Sequence, residues 1–320
     1  MTTAPPPAAP PPTARSSVEA GGRSRTLTVV GPPAAPSSRA LVLVFHGSKQ
    51  TGDVHRAFTG GVLDALAADG EAVVAYLDGY RGNWNDARRG SRFPARRDGV
   101  DDVAFFRAAV SALRASHGID PARVAVVGFS NGGQFVLRLL HEAPGELAAA
   151  VAVAVTMPDA EGFLDVDDPS ARDRPPVAIV AGTRDPIIPF GGGRVAAWVR
   201  VVFGIGGSSL SAPETAAYLA RRNGILSAPS STVVPAGPLA RGTRVERLDY
   251  REPGRAPVTL FVVHEGGHTV PGPTAGPRLV GRTTGDVSIL DVVREVLGAG
   301  RRGEGPVTTP GPGGPRRRRR

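Results

Sequence analysis

The stretch Val124-Ala125-Val126-Val127-Gly128-Phe129-Ser130-Asn131-Gly132-Gly133 constrains this chain more than any other. An apolar run that stops at Gly-x-Ser-x-Gly and passes straight into a helix-compatible segment predicts a strand, a tight turn and a helix. Such a turn holds its central residue on a strained backbone with the side chain exposed. Gly128 and Gly132 leave room where any side chain would collide with the neighbouring strand and helix. Ser130 is therefore a candidate nucleophile. The same pattern arises by chance in a chain with 42 glycines among 320 residues, so it carries weight only if a base, an acid and oxyanion donors occupy matching positions.

The rest of the chain predicts an α/β fold, a doubly wound and mostly parallel sheet with helices on both faces. Ala40 to Phe45, Ala72 to Leu77, the run into Phe129, Leu147 to Val155, Val177 to Ala181 and Val258 to His264 are unbroken apolar runs, as expected of strands buried on both faces. Between them lie helical patterns, among them Val62 to Ala68 and a helix after Asp101 and Asp102 in which Val103, Phe106, Val110 and Leu113 recur at steps of three and four. Further helices are expected from Gly133 to Glu142, from Pro213 to Arg222 and from Val287 to Leu297. Arg25 to Val30 is expected as an edge strand, and 225–243 as irregular chain. The alternation is that of βαβ units, giving one domain over residues 23–299. Within it, the apolar, glycine-rich segment 198–211 is expected as an insertion covering the site.

An apolar share of 41% suffices for a large core. Residues 1–22 are too rich in proline and too polar to pack and are expected to form a disordered leader; residues 300–320 are expected to form a disordered, arginine-rich tail. Residues 301–320 hold seven arginines against Glu304, so they carry +6 of the net +9 and leave +3 for the rest. Basicity thus belongs mostly to the tail, and nucleic acid is not an expected partner beyond weak, salt-dependent binding there. Lys49 is the single lysine among 38 basic residues. With no cysteine, disulfides, thiolate zinc sites and cysteine nucleophiles are excluded, and no cofactor or metal is expected. No window reaches the roughly 18 apolar residues of a membrane span, and no signal peptide is visible; the expectation is a soluble, cytoplasmic protein.

A nucleophilic serine needs an imidazole, a carboxylate to fix its tautomer, and N–H groups where the oxyanion develops. Each can be sought just beyond a strand. Asp185 follows one strand end and His268 the next, in the order serine, acid, histidine. His264 is the rival base, but it belongs to the strand, whereas the turn Glu265-Gly266-Gly267 is expected to be flexible enough for His268 to reach the serine. His55, His117 and His141 are expected to face solvent, and His46 to shape the loop after its strand. Asp159, Asp165, Asp167 and Asp168 are expected to be solvated, while Pro186 and Pro189 stiffen the loop that carries Asp185. The oxyanion donors are expected at the backbone N–H groups of Asn131 and Ser48, with Gly47 or Lys49 as alternatives to Ser48. Trp84, in a polar loop, is either a substrate-facing wall or a loop anchor. The arginines Arg88, Arg89, Arg92, Arg96 and Arg97 are expected to form a solvated face rather than an anion site.

Several stretches then resemble one known group in order: His46-Gly47, Asn83-Trp84-Asn85-Asp86, Asp101-Asp102-Val103 with Phe105, Gly118-Ile119-Asp120-Pro121-Ala122-Arg123-Val124 before the elbow, Gly182-Thr183-Arg184-Asp185-Pro186-Ile187-Ile188-Pro189-Phe190, and Gly266-Gly267-His268-Thr269-Val270-Pro271. The chain is similar over roughly residues 40–297 to the polyhydroxybutyrate depolymerase and feruloyl esterase-like α/β-hydrolases of the lipoprotein LpqC type. The resemblance implies Ser130, Asp185 and His268 as a catalytic triad. This family commonly has Trp where Val270 stands, which implies a smaller pocket wall here. Many members are secreted and carry cysteines, so secretion is the localisation that the resemblance implies.

The function these readings favour is a serine carboxylic-ester hydrolase acting through an acyl-enzyme on polyhydroxyalkanoate-like, feruloyl, acetyl or other small esters. An acyltransferase or a peptidase of the same fold uses the same three groups. A non-catalytic binding protein on this scaffold has no chemical reason to keep all three.

Overall fold

The computed structural model describes residues 10–34, 39–164, 174–203 and 206–301. The chain enters through a hairpin, β1 (Thr13–Ala20) and β2 (Arg23–Val30). Residues 13–20 therefore belong to the fold, and a leader running to residue 22 is corrected. Gly21 and Gly22, at φ of 56° and 71°, form the two-residue loop between the paired Ala20 and Arg23. A tight hairpin loop of this type favours left-handed backbone at both positions, which glycine supplies. Most side chains of β1 are exposed, so composition gave no hint of it; backbone pairing with β2, the bonds of Arg15 to Thr28 and Asp53, and the buried Ala20 hold it. β2 is consequently not an edge, because β1 covers its outer side.

From there the alternation runs as expected: β3 (Arg39–Phe45), α1 (Gly52–Phe58), α2 (Ala65–Ala68), β4 (Ala72–Leu77), α3 (Pro94–Arg97), α4 (Asp102–His117), β5 (Ile119–Phe129), α5 (Asn131–Glu142), β6 (Ala149–Val153) and β7 (Val177–Gly182). The second part contains β8 (Gly193–Arg194), α6 (Ala197–Phe203), β9 (Ser208–Ser209), α7 (Ala212–Arg222), β10 (Ser230–Val233), β11 (Arg244–Tyr250), β12 (Val258–His264) and α8 (Ile289–Arg301). The main sheet has the order β1-β2-β4-β3-β5-β6-β7-β12-β11-β10. Its central run from β4 to β12 is parallel, and antiparallel strands flank it on both sides. β10 and β11 went unforeseen. β11 carries Arg244, Glu246, Arg247 and Asp249, with Arg247 paired to Asp249 and to Glu295 of α8 and Glu246 to His264 of β12, so it lacks the apolar signature of a strand.

The core lies in two layers. In β3, Leu41, Leu43 and Phe45 join the cluster containing α4, α5 and α7, while Ala40, Val42 and Val44 join the cluster containing α2 and α8. This is the period-two alternation of a strand buried on both sides. Asp101 caps α4, its Oδ1 accepting from Ala104 N at 2.8 Å. Asp102 turns inward instead, fully buried against Arg25 of β2 at 2.7 Å. Gly118, at φ of 64°, ends that helix.

Of the expected insertion 198–211, residues 198–203 are all of α6 but its first residue and 206–211 include β9, while 204 and 205 lie outside the described residues. The part around β9 is tied to the chain after β6 by Leu210 N to Met157 O and Asp159 N to Ser208 O. Val199 is buried against Phe93, whereas Trp198 and Val201 are exposed. Of the expected tail 300–320, residues 300 and 301 close α8, and 302–320 lie outside the described residues, as do Asp165, Asp167 and Asp168. Among the described residues, no helix is long and apolar enough to cross a membrane.

The strand order reverses between β3 and β5, since β4 lies on one side of β3 and β5 on the other. At such a switch point the loops diverge and leave a crevice at the C-terminal strand ends. Gly47 and Ser48 follow β3 there, and Ser130 follows β5.

Candidate active site

Ser130 sits between β5 and α5 at φ 54° and ψ −113°, a conformation that side chains other than glycine rarely take. Two close approaches hold it. A Cβ on Gly128 would lie 2.2 Å from Gly132 O, and one on Gly132 would lie 2.1 Å from Phe45 O. Ser130 N also donates to Val153 O of β6 at 2.9 Å. The strain expected from the Gly-x-Ser-x-Gly pattern is thus fixed by the two neighbouring strands.

His268 Nδ1 donates to Asp185 Oδ2 at 2.7 Å, with both side chains almost wholly buried. The other carboxylate oxygen, Oδ1, accepts from Ile187 N at 2.7 Å and Ile188 N at 2.8 Å. The carboxylate is therefore saturated from its own loop and cannot rotate away. With Nδ1–H donating to the Asp185 carboxylate, the neutral imidazole of His268 carries its free lone pair on Nε2. The loop before it is not flexible, as expected, but pinned. Gly266 N donates to Val263 O, Gly267 N to Arg282 O and His268 N to Val280 O. A Cβ on Gly267 would lie 2.0 Å from Val280 O, so the glycines serve close packing. His264 is held elsewhere, its Nε2 3.0 Å from Glu246 Oε2.

On the opposite side of Ser130, Gly47 N donates to Gln50 Oε1 at 3.1 Å and Lys49 N to Gly82 O at 2.8 Å. Of the three expected alternatives, Ser48 is the one whose N–H is not engaged among the described residues. Asn131 N opens α5 and has no acceptor within the helix. His46 Nδ1 donates to Gly47 O at 2.7 Å, and Nε2 accepts from Gly79 N at 2.9 Å. That pairing defines a neutral tautomer, and burial lowers the pKa to about 4.

Trp84 is not a substrate wall. It is fully buried, its Nε1 donates to His46 O at 3.0 Å, and its ring stacks on Phe135 at 5.4 Å. The loop around it braces the elbow instead. Asn131 Oδ1 accepts from Trp84 N at 2.8 Å, and Asn131 Nδ2 donates to the buried Asp86 at 2.6 Å. Asp86 in turn is gripped by Arg88, and Arg96 donates to its carbonyl. Reading residues singly missed this brace; the signal that could have found it was the clustering of four polar-capable residues at 83–86, directly beyond a strand end. Arg88 and Arg96 correct the expectation of a wholly solvated arginine face.

Four more expectations change. His55, His117 and His141 are buried rather than solvent-facing. His55 stacks between Phe58 and Phe129, and its pKa falls to about 3 through burial. His141 Nε2 meets Tyr218 Oη at 2.8 Å. Val270 packs in the core among residues such as Val263 and Ile289 and does not line the cavity at Ser130.

That cavity holds about 140 Å³ and is bordered by Ser130, Asn131, Ser48 and His268, with Phe129, Ile187 and Ile188 supplying apolar wall. The arrangement brings a hydroxyl, an imidazole backed by a carboxylate, and two N–H groups to one concave surface.

No family model matches the chain. A curated relative, “Putative esterase NocK” of Nocardia uniformis subsp. tsuyamanensis, is 32% identical over 297 residues, covering 89% of this chain and 82% of its own. A shorter match, 35% identical over 127 residues, is to protein-glutamate methylesterase/protein-glutamine glutaminase 6 of Anaeromyxobacter dehalogenans, covering 37% of this chain and 31% of that one. Among solved structures, an acetyl xylan esterase from Aspergillus awamori superposes with a TM-score of 0.59 at 14% identity, over 89% of this chain and 99% of that chain. At that identity the likeness is one of fold.

Proposed function

The chain belongs to the α/β-hydrolase esterases, the family of NocK, and on that premise we propose that it is a serine carboxylic-ester hydrolase working through an acyl-enzyme. The observation that carries this reading is the 2.7 Å bond between His268 and Asp185 beside the cavity that Ser130 lines. Ser130 Oγ attacks the ester carbonyl carbon while His268 Nε2 takes its proton. Asp185 stabilises the imidazolium that results, and the oxyanion accepts from the N–H groups of Ser48 and Asn131. The tetrahedral intermediate collapses as His268 returns the proton to the leaving alcohol. Water then attacks the acyl-enzyme by the same route in reverse and releases the acid.

A cavity of about 140 Å³ fits a small ester or the end of a polymeric one. Within the family, the motifs running from His46 to Pro271 favour the polyhydroxybutyrate depolymerase and feruloyl esterase-like branch, whose acyl groups are short hydroxyalkanoyl, feruloyl or acetyl. We further assign residues 206–209, within the expected insertion 198–211, as a cover over the outer part of the site, since they line a second cavity.

The test is turnover of short-chain p-nitrophenyl esters by the purified chain. Wild type releases nitrophenol, and Ser130→Ala lowers kcat by about 10⁶-fold. Undiminished activity in that variant would remove Ser130 from the mechanism.

A further inference from the structure

The loop after β3 presents the Ser48 N–H to the crevice across a glycine. Gly47 has no side chain to restrict its dihedrals, so the direction of that N–H depends on how the peptide groups on either side of Gly47 are held. In a trans peptide the carbonyl and the N–H point opposite ways. His46 Nδ1 holds Gly47 O at 2.7 Å, which sets the Ser48 N–H on the far side of its peptide. The preceding peptide is held at both ends: His46 O accepts from Trp84 Nε1 at 3.0 Å, and Gly47 N donates to Gln50 Oε1 at 3.1 Å.

Gln50 is in turn held from behind. Its Oε1 lies 3.2 Å from Nδ1 of His55 on α1. The Gly47 N–H can only donate, so the atom it meets is the amide oxygen, and His55 Nδ1 carries a proton and donates to that same oxygen. A flipped amide would set its nitrogen against the Gly47 N–H. His55 is buried and stacks between Phe58 at 5.9 Å and Phe129 at 5.7 Å. Phe129 precedes Ser130, and its ring lies 5.0 Å from that of His268. The chain His55, Gln50, Gly47 thus connects the packing beneath the nucleophile to the loop opposite it, and Gln50 borders the cavity at Ser130.

We propose that Gln50 and His55 are positioning residues for the oxyanion donor: the imidazole fixes the amide of Gln50, the amide oxygen fixes the Gly47 N–H, and the Ser48 N–H is thereby aimed where charge develops in the transition state. This rests on the esterase reading above and deepens it. Neither residue exchanges a proton with the substrate. Because the oxyanion exists only after attack, the clamp acts on the transition state and not on the bound ester.

The experiment compares wild type with Gln50→Met, His55→Leu, His55→Asn and the double variant Gln50→Met/His55→Leu. Each is assayed for hydrolysis of p-nitrophenyl acetate and for inhibition by a trifluoromethyl ketone, whose adduct with a serine hydroxyl carries an oxyanion. Gln50→Met keeps the length of the side chain and lacks the acceptor; kcat should fall about tenfold or more while KM stays within about threefold, and the ketone should weaken by a factor similar to the loss in kcat/KM. His55→Leu should show the same signature, and His55→Asn, whose amide nitrogen can stand where Nδ1 stood, should recover most of the loss. The double variant should fall no more than about threefold below the lower single variant, since the two side chains act as one unit. An unchanged kcat in Gln50→Met, a loss confined to KM, losses that multiply in the double variant, or a His55→Asn no better than His55→Leu overturns the clamp and leaves the esterase reading intact. Should the His55 variants not fold, the split between kcat and KM and the ketone affinity of Gln50→Met decide. Wild type that neither hydrolyses esters nor binds the ketone overturns the esterase reading and the clamp together.

Discussion

Two buried histidines make stability, as distinct from activity, depend on pH. Burial lowers His46 to about 4 and His55 to about 3, against about 6.5 in an unfolded chain. Above pH 6.5 both are neutral whether folded or not. As the pH falls below 6.5 the unfolded chain takes up protons that the folded chain refuses, so stability present above 6.5 is lost progressively down to about 4. By pH 5 the loss is about 2 kcal/mol for each histidine. Urea midpoints measured between pH 7.5 and 5 should therefore fall, and His55→Gln should flatten the slope; a midpoint independent of pH over this range contradicts the account. At this scale the sequence was informative where chemistry constrains a residue and silent where packing does. Asp185 and His268 follow strand ends, and that placement alone pairs them. Histidine burial depends on which helix face meets the sheet, as with His141 against Tyr218, and nothing local records it. Trp84 is the same case, an aromatic in a polar loop whose partners Phe45 and Phe135 come from two other elements.

Among elements, the strand-turn-helix of β5 and α5 is the most tightly determined. Gly132 has Phe45 O within 2.1 Å of where a Cβ would stand, and the obstacle is backbone, which no side-chain rotation relieves. Gly132→Ala is expected to cost several kcal/mol and lower Tm by roughly 10 °C or more. Gly145→Ala is the control, because a Cβ there meets nothing within 4 Å and its effect should stay below about 1 kcal/mol. Thermal melts of the two variants compare these outcomes, and equal effects would contradict the packing explanation. Buried parallel strands were legible as apolar runs, several to the residue, as for Ala72–Leu77 and Val258–His264. The flanking antiparallel strands β1, β10 and β11 were not. Their side chains are largely exposed or charged, and they are joined to the sheet by backbone pairing and by polar pairs such as Arg15 with Asp53 and Arg247 with Glu295, none of which the apolar pattern of the strand reveals. Gly21-Gly22 was the available clue to β1.

For the molecule as a whole, the doubly wound topology decides where chemistry is possible. Reversal of strand order between β3 and β5 opens one crevice, and loops following β3, β5, β7 and β12 deliver Ser48, Ser130, Asp185 and His268 to it. Four segments far apart in sequence thus meet because their strands end at one edge, which is why order along the chain was enough to anticipate the grouping. The walls of the crevice were not legible in the same way. Gln134 and Arg88 come from an ordinary helix position and from an arginine-rich loop, and only the fold shows that both border the cavity beside Ser130. The central claim is that Ser130 is the nucleophile. Its most direct test is covalent trapping: the full chain is incubated with a fluorophosphonate and the labelled peptide identified by mass spectrometry. One adduct per chain is expected, on Ser130, forming together with the loss of ester turnover. Turnover lost with the adduct on another residue, or ester turnover persisting after Ser130 is fully labelled, would contradict it.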